Sequence, residues 1–426
     1  MGSANGASMP KYLFLFLQCA FRRLQHIFSA VALAEKGCFD EVRELRPHLQ
    51  PGDMIIDGGN SHWPDTERRH DALAPTGLRF IGMGVSGGEE GALRGPSMMP
   101  GGDEASWEEL RPLLEKAAAV SDSGPCVTWC GYKSAGHAVK MVHNGIEYGD
   151  MQLIAEIWGL LREGLALSPV KLREVFERWN AGRLESFLID ITARIVAAAD
   201  PKDAGGKAPL VDAILDVAGQ KGTGRWTVSD AVEAGVPVST IAAAVDARSL
   251  SARQDDRKAA SRAFPERPAG LMGLHGVTVD ELEAALYAAK LMSYTQGFDL
   301  LRTASKERKY ETDLAEIARI WKAGCIIRAS FLDRVHAAYR RDPELSLLCL
   351  DPSFAEELRA TKRFDTFTSW SVDTPRTPLS NRTWWRLHRL IAVSTVSGPP
   401  KHSDKKPSMA RCRGTRRSAS GPWRLA

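Results

Sequence analysis

The sequence predicts an α/β plus all-α protein, in which an incomplete Rossmann-like domain precedes a large all-helical domain. Two short apolar runs that end in glycine, DMIIDGGN (53–60) and LRFIGMGVSGG (78–88), flank a polar stretch typical of a helix. From residue 136 onward, apolar residues recur at helical spacing over long segments. The length of 426 residues allows two or three domains.

The two apolar runs are expected to be parallel strands. The polar stretch WPDTERRHDALA between them and the later DEASWEELRPLLEKAAA are expected to be helices, and a brief strand is expected near CVTWCG. The carboxyl ends of parallel strands meet at one edge of a sheet, where open α/β folds bind ligands. The glycines that follow both runs therefore indicate a ligand-binding edge.

The helical half is expected to contain seven helices separated by polar loops. The predicted helices are 136–165, 170–199, 208–218, 228–235, 237–251, 279–304 and 311–335, with loops at 200–209 and 251–270. We divide the chain into an N-terminal segment (1–39), an α/β domain (40–133), a helical domain (134–362) and a basic tail with the composition of disorder (363–426).

The charge distribution sets the tail apart from the remainder of the chain. Residues 371–426 hold 12 Lys and Arg against 2 Asp, whereas the other residues hold 44 against 50. Trp384, Trp385 and Trp423 could stack on bases, so a nucleic-acid contact is an alternative function for the tail. A compositional tail without a fold is a poor basis for that function, and nucleic acid is not an expected partner.

The cysteines and the apolar content exclude other classes. Seven scattered cysteines contain no CxxC pair, which favours a reducing compartment over a disulfide framework and predicts no metal site. The apolar run YLFLFLQCAF (12–21) is too short to span a bilayer, and Arg22 and Arg23 follow it instead of a small-residue cleavage site. No membrane association is expected.

The segment GHAVKMVHNGIEYGDMQLIAE (136–156) predicts a helix with a chemically unusual face. At about 100° per residue, Lys140, Asn144 and Glu147 share a narrow arc, flanked by His143 and Tyr148. The alternative is a solvated polar stripe. A core-like apolar stripe borders this face, which favours a functional site.

Lys140 and Glu147 could divide the work of proton transfer. A lysine base near neutral pH needs a lowered pKa, from burial or from nearby cations such as Lys221, and a glutamic acid needs a pKa raised by desolvation. Gly145 and Gly149 weaken a helix by roughly 1 kcal/mol each. We interpret them as allowing a ligand or another backbone to approach closely.

A second group of polar residues follows in GQKGTGRWT (219–227). Its glycines expose backbone N–H groups around Lys221, Thr223 and Arg225, and Arg248 adds a guanidinium suited to phosphate. This pattern predicts an anion-binding loop. The order of residues is not that of a Walker A loop, and each of these side chains could instead be an ordinary surface feature.

Six segments together resemble the decarboxylating 6-phosphogluconate dehydrogenase family, over about residues 40–360. The segments, in order along the chain, are DGGNSHWPDTERR, GMGVSGGEEGALRGPSMMPGG, GHAVKMVHNGIEYGDMQLIAE, GQKGTGRWT, LYAAKLMSYTQGFDLL and IWKAGCIIRASFL. Related β-hydroxyacid dehydrogenases share the glycine-rich loop and the lysine but not the HNGIEYGDMQ continuation. The ordered set is therefore far more specific than any one segment.

The resemblance implies oxidation of 6-phosphogluconate by NADP to ribulose 5-phosphate and CO2, in the pentose phosphate pathway. It implies that Lys140 is the general base and Glu147 the acid that protonates C1. Asn60 would contact both cofactor and substrate. The other implied substrate contacts are Ser86, Gly87, Gly88, His143, Asn144, Tyr148, Lys221, Thr223 and Arg248. The family is dimeric through its helical domain, so a homodimer is implied, in the cytoplasm or in a plastid.

Both ends of the sequence depart from the family pattern. The N-terminal stretch lacks the GxGxxG turn and the Asn-Arg-Thr segment that reads the 2′-phosphate, and no Tyr-Phe-Gly-Ala-His motif follows Thr361. Relative to the family, we interpret residues 1–39 as a divergent segment, residues 40–133 as a partial NADP-binding Rossmann-like domain and residues 363–426 as a divergent tail. Two alternatives follow: a catalytically impaired homologue that keeps the substrate site and dimer surface, or another β-hydroxyacid dehydrogenase.

Overall fold

The first half of the protein is built around a mixed sheet, in which three strands are parallel and one is antiparallel. The computed structural model describes the backbone of residues 27–29 and residues 46–203, 208–263 and 277–360. The expectations for most of the N-terminal segment and for the tail, including its tryptophans, lie outside these residues. The sheet has the order β1-β2-β3-β4. Its strands are β1 (Ile27–Ser29), β2 (Met54–Asp57), β3 (Arg79–Ser86) and β4 (Ser97–Gly101).

The pairing of β2 with β3 is parallel, which confirms the prediction from the two apolar runs. β1 extends the sheet in parallel on the other side of β2, whereas β4 pairs antiparallel with β3. The sequence analysis missed β4 because it follows a glycine and contains a proline. The strand expected near CVTWCG is reduced to one bridge, between Val127 and Met98, beside the small hairpin of β5 (Val120–Ser121) and β6 (Gly124–Pro125).

Among the described residues, three helices accompany the sheet, and the two expected from sequence are both present. They are α1 (Trp63–Leu73), α2 (Gly88–Arg94) and α3 (Glu104–Ala117). Local chemistry fixes their starts. A proline occupies the first turn of α1, where its missing N–H is not needed. The Asp103 side chain caps α3 by accepting from the Ser106 N–H at 2.9 Å.

The second half is helical, as predicted. Its helices are α4 (Ala135–Gly159, continued by a π-helical turn at Leu160–Gly164), α5 (Pro169–Asn180), α6 (Phe187–Ala197), α7 (Leu210–Ala213), α8 (Thr223–Glu233), α9 (Ser239–Ala252), α10 (Gln254–Ala263), α11 (Val279–Arg308), α12 (Leu314–Ile320), α13 (Leu332–Arg341) and α14 (Pro352–Ala360). Short 3-10 turns lie at Arg46–His48, Ala74–Thr76 and Leu348–Leu350.

Several predicted helix boundaries were wrong. The helix expected at 170–199 is two helices, because Ser186 caps α6 with its own side chain and donates its N–H to the Asn180 side chain at 3.1 Å. The helix expected at 311–335 is broken between α12 and α13. The expected helix 208–218 shrinks to α7, and the expected loop 251–270 contains α10. Apolar spacing continued through these breaks and concealed them.

Helix α4 lies at the centre of the molecule. It packs against β3 and β4 near its start and against α8, α9 and α11 further along. Every residue of α4 is buried except Leu153 and Glu156, which are partly exposed. The polar face of this helix is therefore not a solvated stripe, and that alternative is wrong. Within the described ranges, none of the helices is long and apolar enough to cross a bilayer.

Candidate active site

Lys140 is buried against the end of the sheet. A side chain on Gly84 of β3 would approach the Cβ of Lys140 to 2.3 Å, so only glycine leaves room for the lysine stem. The Lys140 side chain is 5% exposed. Burial is the largest influence on its amine and lowers its pKa, while the carboxyl of Glu147 acts in the opposite direction.

His143 connects the lysine to the sheet. Its Nε2 lies 3.3 Å from the Oγ of Ser86, and its Nδ1 lies 3.5 Å from Nζ of Lys140 and 3.2 Å from Oδ1 of Asn144. Burial holds the pKa of His143 well below its usual value, and the lysine lowers it further. The imidazole is therefore neutral. Nε2 can form a hydrogen bond with Ser86, and Nδ1 can form one with Lys140 or Asn144, without placing a further charge in the site.

Glu147 lies one turn beyond His143, with Oε2 at 3.9 Å from the histidine Nδ1. Its pKa is raised chiefly by burial, against the lowering influence of Lys140 and Arg248. The opposite shifts expected for Lys140 and Glu147 are therefore present. The cause for Lys140 is burial, since Lys221 is exposed and is not among the groups that shift its pKa.

The expected anion-binding residues lie at the other end of the same face. Thr223, the first residue of α8, accepts a hydrogen bond at 3.2 Å from Nδ2 of Asn144. The guanidinium of Arg248 on α9 stacks 3.5 Å from the centre of the Tyr148 ring and donates to the backbone carbonyl of Gly219 at 3.1 Å. Its Nε is buried with no partner among the described residues. This cation is thus held in place while it keeps an unused donor.

The remaining expected contacts lie in loops and turns. Lys221 and Asn60 are exposed, the former in the loop before α8 and the latter in the turn after β2. Gly87 and Gly88 form the turn from β3 into α2, and both have positive φ. The structure brings Ser86, the polar residues of α4, Thr223 and Arg248 into one connected group. Their individual roles stay predictions.

The interpretation of the two α4 glycines needs correction. A side chain on Gly145 would lie 2.6 Å from the Thr227 methyl on α8, and one on Gly149 would lie 2.4 Å from Oγ of Ser293 on α11. Neighbouring helices therefore fill the space beside both glycines. They allow close helix packing and do not provide a surface for substrate.

The sequence analysis missed a buried ion pair and an aromatic wall. Nζ of Lys290 on α11 lies 2.6 Å from Oδ2 of Asp150 on α4. The indole of Trp321 meets the His143 ring edge-on, with centroids 5.5 Å apart. A lone lysine among apolar residues at helical spacing, as in LYAAKLMSY, was a usable signal for the first. The contact of Trp321 joins it to a residue far away in the sequence, so no local pattern could predict it.

The turn after β2 presents an exposed amide at the carboxyl-terminal edge of the sheet. Asp57 accepts from the Gly59 N–H at 3.0 Å and from Ser61 Oγ at 2.7 Å, and these bonds shape a turn that leaves the Asn60 amide exposed. The His62 ring stacks on Trp226 of α8, with centroids 4.6 Å apart, and so connects this turn to the helical half. Among the residues described, no group of three or more potential metal ligands is present.

The fold has a mostly parallel sheet, whose carboxyl-terminal edge carries glycine-rich turns, and a helical half that contains the buried Lys140 and Glu147. This combination is typical of proteins that join a dinucleotide-binding sheet to a large helical domain. The C-terminal domain of 6-phosphogluconate dehydrogenase matches residues 136–367, and the NAD binding domain of 6-phosphogluconate dehydrogenase matches residues 20–131. The chain belongs to the 6-phosphogluconate dehydrogenase family. This confirms both the resemblance and the fold class.

Individual relatives agree with the family match. The chain is 52% identical over 320 residues to the chloroplastic decarboxylating 6-phosphogluconate dehydrogenase 2 of Oryza sativa subsp. japonica, covering 74% of this chain and 63% of the relative. It is 53% identical over 321 residues to the decarboxylating enzyme of Synechocystis, covering 74% of this chain and 66% of the relative. The chain thus spans somewhat under two thirds of the length of both relatives.

A solved structure also matches. Plasmodium falciparum 6-phosphogluconate dehydrogenase, solved in its apo form and in complexes with NADP+ and with 6-phosphogluconate, has a TM-score of 0.75 and 40% sequence identity. The match covers 86% of this chain and 78% of that chain. The agreement in fold therefore extends across both halves of the molecule.

Proposed function

We propose that the chain catalyses the oxidative decarboxylation of 6-phosphogluconate to ribulose 5-phosphate and CO2, with reduction of NADP. The observation that carries this proposal is the buried pair on one face of α4. The amine of Lys140 and the carboxyl of Glu147 lie two turns apart, and their pKa values are displaced in opposite directions. Groups displaced in this manner can act as base and acid near neutral pH.

Lys140 begins the reaction as the base. Its amine removes the proton from the C3 hydroxyl while the C3 hydride leaves, which produces a 3-keto acid. NADP, when bound, supplies the hydride acceptor. The ammonium now on Lys140 gives its proton to the new carbonyl oxygen as the C1 carboxylate leaves as CO2, which forms an enediol and restores the neutral amine. Glu147 then gives its proton to the enediol carbon that becomes C1 of the product, while the amine of Lys140 removes the proton of the adjacent enediol hydroxyl, which yields ribulose 5-phosphate.

The two anionic ends of the substrate determine its direction in the site. Ser86 with Gly87 and Gly88 holds the carboxylate end, and His143 orients both Ser86 and Lys140 through its two ring nitrogens. Thr223, Lys221 and Arg248 hold the phosphate end. Asn144 lies between the two ends, because it contacts both His143 and Thr223.

The Asn60 amide contacts NADP and substrate together. It lies exposed in the turn after β2, on the same side as the end of β3 that carries Ser86. Parallel strands present their carboxyl-terminal turns at one edge, so a nicotinamide at Asn60 adjoins a sugar acid at Ser86.

The choice of substrate provides the test. A comparison of 6-phosphogluconate with gluconate distinguishes this function from that of another β-hydroxyacid dehydrogenase, which would show no preference for the phosphorylated acid. Calorimetric titration with NADP and with 6-phosphogluconate tests the alternative of a catalytically impaired homologue. Binding of the sugar phosphate without binding of NADP would support that alternative.

We further propose a homodimer formed through the helical domain, in a reducing compartment, either the cytoplasm or a plastid. Cys126, Cys130 and Cys325 are free and buried, and the matched relatives include chloroplastic and cyanobacterial proteins. Light scattering of the purified chain tests the dimer, and fractionation of the source cells tests the compartment.

A further inference from the structure

A buried ion pair lies just behind the acid of the proposed reaction. Nζ of Lys290 donates to Oδ2 of Asp150 at 2.6 Å, and both side chains are 1% exposed. The second carboxylate oxygen, Oδ1, is buried, and the Tyr294 hydroxyl lies close enough to this carboxylate to lower its pKa. An ion pair of this kind contributes little net stability after desolvation, so its presence beside an active site calls for another explanation.

Helix packing places this pair next to Glu147. Asp150 follows Glu147 by three residues, and residues at that spacing are neighbours on one helix face. Helix α11 comes close to α4 at Gly149, where only a hydrogen fits beneath Ser293. Lys290 precedes Ser293 by three residues on α11, so the close approach sets its amine against Asp150.

The groups that act on Glu147 come from several elements. Lys140 on α4 and Arg248 on α9 both favour an ionised Glu147, whereas Asp150 opposes ionisation. His143 is neutral because burial lowers its pKa.

Two more groups face this region and carry no charge near neutral pH. The Tyr294 hydroxyl on α11 donates to the Ile327 carbonyl at 2.7 Å, and burial raises the pKa of its phenol well above 10.0. Burial raises the pKa of the Cys325 thiol to about 12. Asp150 therefore opposes the influence of Lys140 and Arg248 on the pKa of Glu147.

We propose that Asp150 and Lys290 are positioning residues for Glu147: the pair anchors the turn of α4 that carries Glu147 and holds a negative charge beside it, so that Glu147 keeps its proton until the substrate takes it. Lys290 has a separate part: burial raises the pKa of Asp150, whereas the Lys290 ammonium and the Tyr294 hydroxyl lower it and so favour the charged carboxylate. The inference rests on the proposed function only for the identity of the proton acceptor.

The test is a direct titration of Glu147 in the full chain without ligands. The carbonyl stretch of the protonated Glu147 carboxyl is followed by infrared difference spectroscopy against Glu147→Gln over a range of pH. Asp150→Asn with Lys290→Met removes both charges of the pair and leaves similar volumes. We expect the Glu147 midpoint to fall by about one pH unit in this double variant, because a neighbouring negative charge has been removed.

The single variants separate charge from packing. Asp150→Asn alone should lower the midpoint at least as far, since an unpaired cation then remains nearby. Lys290→Arg keeps the charge and should leave the midpoint near that of the unchanged chain. A midpoint that stays constant in the folded double variant, or in Asp150→Asn, overturns the proposal. Should either variant not fold, the other decides.

A matched control removes a similar pair elsewhere on α11. Arg308 and Asp230 form a largely buried ion pair at the far end of that helix, and the control is Asp230→Asn with Arg308→Met. This control is expected to lower thermal stability without moving the Glu147 midpoint. A shift as large as that of the Asp150 variants would attribute the effect to general loosening and contradict a specific charge effect.

An activity measurement distinguishes this inference from the proposed function. Exchange of the C1 hydrogen of ribulose 5-phosphate with solvent deuterium, with NADPH present, requires ionised Glu147 as the base of the reverse step. Its pH midpoint should fall with the infrared midpoint in the double variant. Absence of all exchange and turnover in the unchanged chain would count against the proposed function, while the infrared shifts would still support the charge arrangement.

Discussion

The two ends of the polar face of α4 differ in how they hold charge. At the proton-transfer end, Lys140, His143 and Glu147 are all buried, and burial is the first cause of each pKa shift. At the proposed anion end, Lys221 is exposed in a loop, whereas Arg248 is buried and is fixed by stacking on an aromatic ring. One end adjusts protonation, and the other positions permanent charges.

This difference teaches which kinetic quantity each end controls. Removing a group whose protonation changes during the reaction lowers the rate of the chemical step. Removing a permanent cation that grips the substrate equally throughout weakens binding and raises KM. Substitutions at the first end should therefore lower kcat, whereas substitutions at the second end should raise KM.

The largest effect is expected for Lys140→Met. The substitution removes the base, so kcat should fall by about a thousandfold, while substrate affinity changes by less than about tenfold. Steady-state kinetics and calorimetric titration measure the two quantities. Lys171→Met, at an exposed lysine of α5, is the control and should behave as the unchanged chain. Near-normal turnover of Lys140→Met would show that the base is elsewhere.

Arg248→Ala is expected to act mainly on binding. Loss of a charged hydrogen bond should weaken affinity for 6-phosphogluconate by roughly 1.5–3 kcal/mol, with a smaller effect on gluconate. Arg253→Ala, at the exposed end of the same helix, is the matched control. An equal loss of affinity for both sugar acids would contradict a contact between Arg248 and the phosphate.

Gly149→Ala tests the packing that supports the proton-transfer end. The added methyl would lie 2.4 Å from Oγ of Ser293 but 3.5 Å from its Cβ. The single variant should lose about 1–3 kcal/mol of unfolding free energy through overpacking. Adding Ser293→Ala removes the clashing oxygen and should restore most of this loss, as measured by urea unfolding. Failure of the second substitution to rescue stability would indicate a different cause.

The smallest effect is a pH dependence of stability that originates from Glu147. Its pKa is raised in the fold, so its contribution to stability is fully present below about pH 4.5, the value of a free glutamate, and is lost as the pH rises through the folded pKa. Glu147→Gln should therefore gain stability relative to the unchanged chain at pH 8 but not at pH 4.5. The melting temperature should rise by about 2–4 °C for each 1 kcal/mol of unfolding free energy gained. Equal differences in melting temperature between Glu147→Gln and the unchanged chain at the two pH values would contradict the raised pKa of Glu147.

Sequence predicted the elements whose signals are local. The run DMIID and the spacing of Lys140 and Glu147 required only neighbours along the chain. The breaks after Asn180 and Ile320 were missed because apolar spacing continues through them. The pairing of Asp150 with Lys290 joins residues 140 positions apart, and it depends on which helix packs at Gly149. The partner of that glycine could not be read from its surroundings in the sequence.

The position of α4 has a consequence for how this protein can be divided. Helix α4 is one continuous helix. Its first turns pack against the sheet, and its later turns lie at the centre of the helical half. A cut at the boundary near residue 134 would leave the Lys140 stem facing water where Gly84 now covers it. The two halves therefore share one helix. Exchanging either half between homologues requires that the residues in contact with this helix are replaced together with it.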